Sequence, residues 1–176
     1  MFKRILVPVD FSAPSAKALA YAVDLGRSTK AELILVHAVE SIYYVGGDVY
    51  GQFYDTGALL DQIVRSGREQ LSRLARTLAK KRLRVRTVLE IGTAHEVIVR
   101  AARRFKADVI VLSTHGRTGL AHVFMGSVAE KVVRFATCPV LTVRGLKAGS
   151  RRVGGTRRRA RRAAKTRAIK RAGGSR

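Results

Sequence analysis

Between positions 113 and 127 the chain places Ser113, His115, Gly116, Arg117, Gly119, Gly126 and Ser127, small and hydroxyl-bearing residues around one arginine. Glycines let a backbone approach a ligand closely. A Gly-Ser pair at the start of a helix leaves free N–H groups at the positive end of the helix dipole, an arrangement that suits phosphate. The same residues also have a plainer reading, in which Gly116 and Gly119 shape a turn while Gly126 and Ser127 cap a helix. Other chemistry is poorly supplied. No His, Asp or Cys grouping has nucleophile-and-base or metal-ligand spacing, and neither a G-x-x-x-x-G-K-[ST] loop nor a G-x-G-x-x-G turn occurs. Ser127 lies in Met125-Gly-Ser-Val-Ala, which lacks the G-x-S-x-G elbow. Gly116-Arg-Thr-Gly119 has the form of the G-x-x-G clamp of RNA-binding KH domains, but it follows a strongly apolar run, whereas that clamp joins two helices. His37 sits in an apolar run and reads as a hydrogen-bonded core residue. Cys138, the one cysteine, reads as a small buried hydrophobe. The chemistry is therefore that of a binder, with at most slow hydrolysis and no assignable catalytic residue.

The elements that must position these residues follow from periodicity. Lys3 to Val9 reads as a buried strand ended by Pro8 and Asp10. Ser12 then caps an Ala-rich helix from Ala13 to Leu25, with Pro14 in its first turn and Gly26 as its stop. Leu33 to Val39 is a second strand, and Glu40 to Thr56, with its aromatic residues and glycines, a long loop suited to function or partner contact. Apolar positions from Leu60 to Leu78 recur at helical spacing up to Lys81. Arg84 to Ile91 alternates basic and apolar residues, as a strand near a sheet edge does. Thr93 and Glu96 have capping-box spacing ahead of a helix through Phe105. Asp108 to Thr114 is a strand apolar on both faces, followed by a loop from His115 to Gly126, a helix from Ser127 to Ala136 and a last strand from Pro139 to Val143. Fivefold alternation of strand and helix predicts a doubly wound parallel α/β sheet with right-handed crossovers. Ligands of such sheets sit at the carboxyl ends of the strands where the order reverses, so the loops after strands one and four are the ones to watch.

Four segments carry a resemblance: Lys3-Arg-Ile-Leu-Val-Pro-Val-Asp-Phe-Ser12, Ser113-Thr-His-Gly-Arg-Thr-Gly119, Met125-Gly-Ser-Val-Ala-Glu130 and Cys138-Pro-Val-Leu-Thr-Val-Arg144. In order and spacing, over residues 1 to 144, the chain resembles the universal stress protein family. The resemblance implies a five-stranded sheet of order 3-2-1-4-5, a homodimer, a role in stress response and, in one branch of the family, ATP binding with Mg2+. That branch carries a glycine, two residues, a second glycine, nine residues, then glycine and Ser or Thr. Gly116, Gly126 and Ser127 fit, while Ser113 replaces the first glycine; serine is small, and the backbone there need not adopt positive φ. Carried over residue by residue, the resemblance places Pro8, Val9, Asp10 and Ala38, with Leu112, around adenine and ribose. Ser113, Gly116, Gly126, Ser127 and Val128 then meet ribose and phosphates. Arg117 either adds a charge-assisted contact to the outer phosphates or stays solvated.

Length and charge bound the rest. A chain of 176 residues with 47% apolar content suits one core. No apolar run is long enough to span a bilayer or to serve as a signal peptide, so the cytoplasm is the expected location. Of the net charge of +23, residues 1–146 hold +10, because 13 of the cations and no acid fall in 147–176. Ordinary members of the family stop near Arg144. We place the domain at 1–145 and read 146–176 as a disordered basic tail that cannot bury enough apolar surface to order itself. Arg157, Arg158, Arg159, Arg161, Arg162, Lys165, Arg167, Lys170 and Arg171 are its candidate contacts to DNA, RNA or another polyanion, and through DNA to the nucleoid. A solvated, functionless extension is the plainer reading of the tail. The rival to nucleotide binding is a dimerisation scaffold that holds no nucleotide and whose tail binds nucleic acid. The apolar last strand, Val140 to Val143, offers the dimer edge.

Overall fold

Strand β1 (Arg4–Pro8) is fully apolar between its ends, because it runs through the centre of a five-stranded parallel sheet of order β3-β2-β1-β4-β5. The computed structural model describes residues 1–40, 56–114 and 125–144. After β1 come α1 (Ala13–Thr29), β2 (Glu32–Val39), α2 (Thr56–Ala79), β3 (Val85–Ile91), α3 (Ala94–Arg104), β4 (Val109–Ser113), α4 (Ser127–Phe135) and β5 (Val140–Val143). The two-residue period of the strands divides the core between two faces. Ile5, Val7, Leu33, Leu35, Val109 and Val111 pack on one face against Ala18, Ala22, Leu71 and Leu78 of α1 and α2. Leu6, Ile34, Val36, Ile110 and Leu112 pack on the other against Val97, Ile98, Ala101, Ala129 and Val132 of α3 and α4. Each Val, Leu or Ile among them contributes roughly 1.5–3 kcal/mol on burial. β3, at the sheet edge, is half-exposed along its length, as its alternation of basic and apolar residues predicts.

The helix boundaries differ from the sequence reading in instructive ways. α1 does not stop at Gly26 but runs on to Thr29. Gly26 lies within it because a Cβ there would meet Leu33 Cδ2 at 3.1 Å, so the glycine serves close packing of helix on strand. The stop is Lys30, at φ 57°, and Ala31 N–H donates to Gly26 O at 3.0 Å. α2 begins at Thr56, earlier than the periodic apolar positions show. Thr93 is the N-cap of α3, yet its side chain makes no capping bond, so the expected capping box is not formed.

Three of the four turns from helix to strand, those after α1, α2 and α3, repeat one design. Lys30, Arg82 and Lys106 each take left-handed φ, at 57°, 60° and 50°. In each, the next residue closes the helix by a bond five residues back: Ala31 to Gly26 at 3.0 Å, Leu83 to Leu78 at 3.4 Å, and Ala107 to Ala102 at 2.9 Å. Ala31, Leu83 and Ala107 are buried and anchor the turns. Left-handed φ costs an L-residue about 1 kcal/mol relative to glycine, offset in part by a cation's attraction to the negative helix end. Below β4, Asp108 Oδ2 accepts from Lys3 N–H at 2.6 Å and Arg4 N–H at 2.7 Å, clamping the start of β1. These two bonds hold the Asp108 carboxyl below the usual carboxylate range. Cys138 is half-buried, not enclosed, and burial pushes its thiol pKa up, with the Asp108 carboxylate acting in the same direction.

Candidate nucleotide-binding crevice

From β1 the chain winds outward through β2 to β3, whereas β4 leads the other way to β5. The connections leaving β1 and β4 therefore diverge, α1 to one face and α4 to the other, and a crevice opens between them at the carboxyl ends of the strands. A cavity of about 610 Å³ occupies this place. That volume is in the range of small-molecule sites.

Its first wall is the β1–α1 connection. Pro8, Val9 and Asp10 line it. Asp10 Oδ1 accepts from Ser12 N–H at 3.0 Å and Ser12 Oγ–H at 2.6 Å, while Ser12 Oγ accepts from Ser15 N–H at 3.3 Å and so caps α1. Asp10 N–H points to Ser15 Oγ at 3.3 Å, and Ser15 is buried. Between them Phe11 sits at φ 63°, a strained position for a bulky residue. Packing offsets the strain: the Phe11 ring lies 4.6 Å from that of His37. His37 Nδ1, 2.6 Å from Val9 O, must carry the proton, since a carbonyl can only accept. The core histidine foreseen in the sequence thus braces the β1–α1 connection. Gly67 of α2 lets that ring in, because a Cβ there would lie 3.1 Å from His37 Cδ2.

The second wall comes from β2, with Val36, Ala38, Val39 and Glu40, and the floor includes Ile63, Ala94 and Ile98 from the flanking helices. The third comes from β4 and α4: Leu112, Ser113, Thr114, Gly126, Ser127, Val128 and Ala129. Ser113 is the last residue of β4, paired with Val143, and its φ is not positive, so a side chain fits the backbone where the family signature has glycine. Gly126 is the N-cap of α4 at φ −68°, again an ordinary conformation. Its N–H is not available to a ligand as the sequence reading supposed: it donates to Thr114 O at 2.7 Å and ties α4 to the end of β4. The donors at this helix start are instead the N–H groups of Ser127, Val128 and Ala129, which have no carbonyl four residues back within the helix.

The structure therefore brings Pro8, Val9, Asp10, Ala38, Leu112, Ser113, Gly126, Ser127 and Val128 around one cavity. Gly116, Arg117 and the tail cations lie outside the described residues. Ser15, Glu40, Thr114 and Ala129 were missed. Glu40 follows the end of β2, beside β1, and the rule that ligands gather at carboxyl strand ends could have flagged it. Ser15, three residues after the cap, carries no comparable signal. Among the described residues no group of three His, Cys, Asp or Glu side chains is placed to hold a metal ion, and no helix is long and apolar enough to cross a membrane.

Fold and cavity together define a doubly wound α/β domain with a ligand-sized crevice at its switch point. The model of the universal stress protein family matches residues 1–144, and the chain belongs to that family. It is 32% identical to universal stress protein MJ0531 of Methanocaldococcus jannaschii over 144 residues, 82% of this chain and 83% of that protein. The solved structure of hypothetical protein MJ0577 from the same organism matches with a TM-score of 0.74 at 26% identity, covering 84% of this chain and 99% of that one. A universal stress protein solved in complex with cAMP shares the fold, with a TM-score of 0.54 at 23% identity over 81% of this chain and 97% of that one.

Proposed function

We propose that this chain is an adenine-nucleotide-binding universal stress protein, acting in stress response as a binder more than as a catalyst, with ATP as the ligand. The observation that carries the reading is the cavity at the β1–β4 switch point, where apolar side chains and the N-terminus of α4 line the same space. The apolar lining that Val9, Ala38 and Leu112 give the cavity suits a base, and the N–H groups of Ser127, Val128 and Ala129 with the Ser127 hydroxyl suit phosphate oxygens. The cAMP complex of a protein of the same fold supports an adenine nucleotide as ligand class. Mg2+ enters this reading on the nucleotide's phosphates, since it keeps most of its waters. The homodimer belongs to the same proposal: β5 is an edge strand, and Leu141 on it and Val133 and Phe135 on α4 leave large apolar surfaces in solvent. So does the tail, whose 13 cations in residues 147–176 suit a polyanion.

Calorimetric titration of the full chain with ATP and Mg2+ tests the central point. One nucleotide per chain supports the reading. No heat of binding transfers the chain to the class in which Ser113 marks a scaffold without nucleotide. Light scattering tests the dimer, which a monomer at micromolar concentration overturns. Deleting residues 147–176 tests the tail, and DNA affinity that survives the deletion unchanged contradicts it.

A further inference from the structure

At the end of the sheet opposite the cavity, the strand starts and the turns that feed them form one rim. Backbone bonds tie it together: Glu32 N–H to Lys3 O at 2.8 Å, Leu33 N–H to Arg84 O at 2.9 Å, and Asp108 N–H to Arg4 O at 2.9 Å. Residues 1–4, 30–33, 80–86 and 105–109 of this rim hold nine Lys and Arg against two carboxylates. Both carboxylates are engaged, Glu32 by Arg86 at 3.0 Å and Asp108 by the amides of Lys3 and Arg4. Lys3, Lys30, Lys81, Arg82, Arg84 and Lys106 are exposed, and Arg84 bridges two turns by donating to Lys30 O at 2.7 Å.

Attraction to helix ends explains one cation per turn, not this density. One cation at a helix end is what α4 shows, with Arg134 in its last turn and none in the turn before β5, Ala136 to Pro139. The positive surface therefore follows β3, β2, β1 and β4 and stops at β5. At three of its points, Lys30, Arg82 and Lys106, a cation occupies the left-handed position that glycine fills at lower cost. We infer that this rim is a docking face for the phosphodiester backbone of duplex DNA, carried by the folded domain independently of the tail and of the nucleotide cavity. A lipid surface fits less well, because Met1 is the one large apolar side chain exposed among the described rim residues, and interfacial binding needs a buried apolar face. Stacking on single strands fits less well too: Phe105 is half-buried, with the guanidinium groups of Arg86 and Arg104 at 5.5 and 5.2 Å from its ring centre. Phosphate contact without base readout is what remains, with little sequence preference.

The test uses the full chain and a duplex of about 30 base pairs of arbitrary sequence, with affinity measured by anisotropy across a salt series. The variant Lys30→Gly, Arg82→Gly, Lys106→Gly removes three rim cations at positions that favour glycine. Its slope of log affinity against log salt should fall in magnitude by about 2.7, with ATP binding unchanged. The same three positions changed to Asn, which also tolerates left-handed φ, should give the same loss, so that loosened turns cannot mimic it. Three exposed cations elsewhere, changed as Arg65→Gln, Arg68→Gln, Lys131→Gln, should lower the slope by less than about 1. An unchanged slope in the rim variants, an equal loss in the Arg65, Arg68, Lys131 variant, or a rim effect seen only with phosphatidylserine vesicles overturns the proposal.

Discussion

The two ends of this sheet are built to opposite rules. At the amino end, short turns close α1, α2 and α3 with the same bond and bury an anchor residue, and the Asp108 clamp holds β1. At the carboxyl end the connection after β1 is held by side chains instead: Asp10 on Ser12, Ser12 on Ser15, and His37 on Val9. A strained Phe11 and a cavity of about 610 Å³ are tolerated there. At the start of α4 the Gly126 N–H ties the helix to β4 while the N–H groups of Ser127, Val128 and Ala129 have no helical carbonyl to meet, whereas closure at the other end uses the donors of Ala31, Leu83 and Ala107. Changes at the carboxyl end should therefore lower nucleotide affinity, whatever they do to stability, and changes at the amino end should leave nucleotide affinity alone.

The largest expected effect is Gly126→Val. The backbone at φ −68° and ψ 150° accepts valine, so the loss of stability should be limited to that of a poorer N-cap, about 1 kcal/mol, while the side chain at the cavity wall should lower ATP affinity by a hundredfold or more, about 3 kcal/mol. Paired calorimetry and thermal unfolding separate the two, and a Gly126→Val protein that unfolds early but binds normally would break the comparison.

His37→Phe comes next. It keeps an aromatic ring beside Phe11 but leaves Val9 O without the imidazole donor, at a cost of about 1–2 kcal/mol in denaturant unfolding. Because the brace holds the ligand loop, ATP affinity should fall as well. Asp108→Ala is its counterpart at the other end. Hydrogen bonds to a charged group, discounted for an exposed carboxylate, put the loss at about 1 kcal/mol, with ATP affinity unchanged. The pH dependence has a definite sign. The folded-state pKa of Asp108 is lowered, so its stabilisation is complete above the unfolded value of about 3.9 and disappears as pH falls through the folded value. Unfolding curves of wild type and Asp108→Ala should therefore differ at neutral pH and converge in acid.

Much of this was legible in the sequence, for physical reasons. Strand-helix alternation and apolar runs set the sheet, because β1 and β4 must be apolar on both faces to lie at its centre. Pro8, Val9, Asp10, Ser113 and Ser127 could be placed together because parallel strands bring all carboxyl ends to one side. What was hidden depended on contacts distant in sequence. Gly26 looked like a stop because nothing local reveals that Leu33 presses on it. Lys30 gave no sign of ending α1, since lysine has no preference for left-handed φ. The loss of the Gly126 N–H as a ligand donor follows from where the Thr114 carbonyl lies, which no motif spacing encodes.

The smallest expected effect is Lys106→Gly. Relief of left-handed strain and loss of a favourable charge at the helix end oppose each other, so stability should change by less than about 1 kcal/mol, as thermal unfolding would show.

The most direct test of the account is an amide NMR titration of the full chain with ATP and Mg2+. The amides of Val9, Asp10, Ala38, Ser113, Ser127, Val128 and Ala129 should shift together and saturate at one nucleotide per chain, while those of Lys30, Arg82 and Lys106 stay in place. Shifts centred on Lys30, Arg82 and Lys106, or none around the cavity, would contradict a nucleotide site at the switch point.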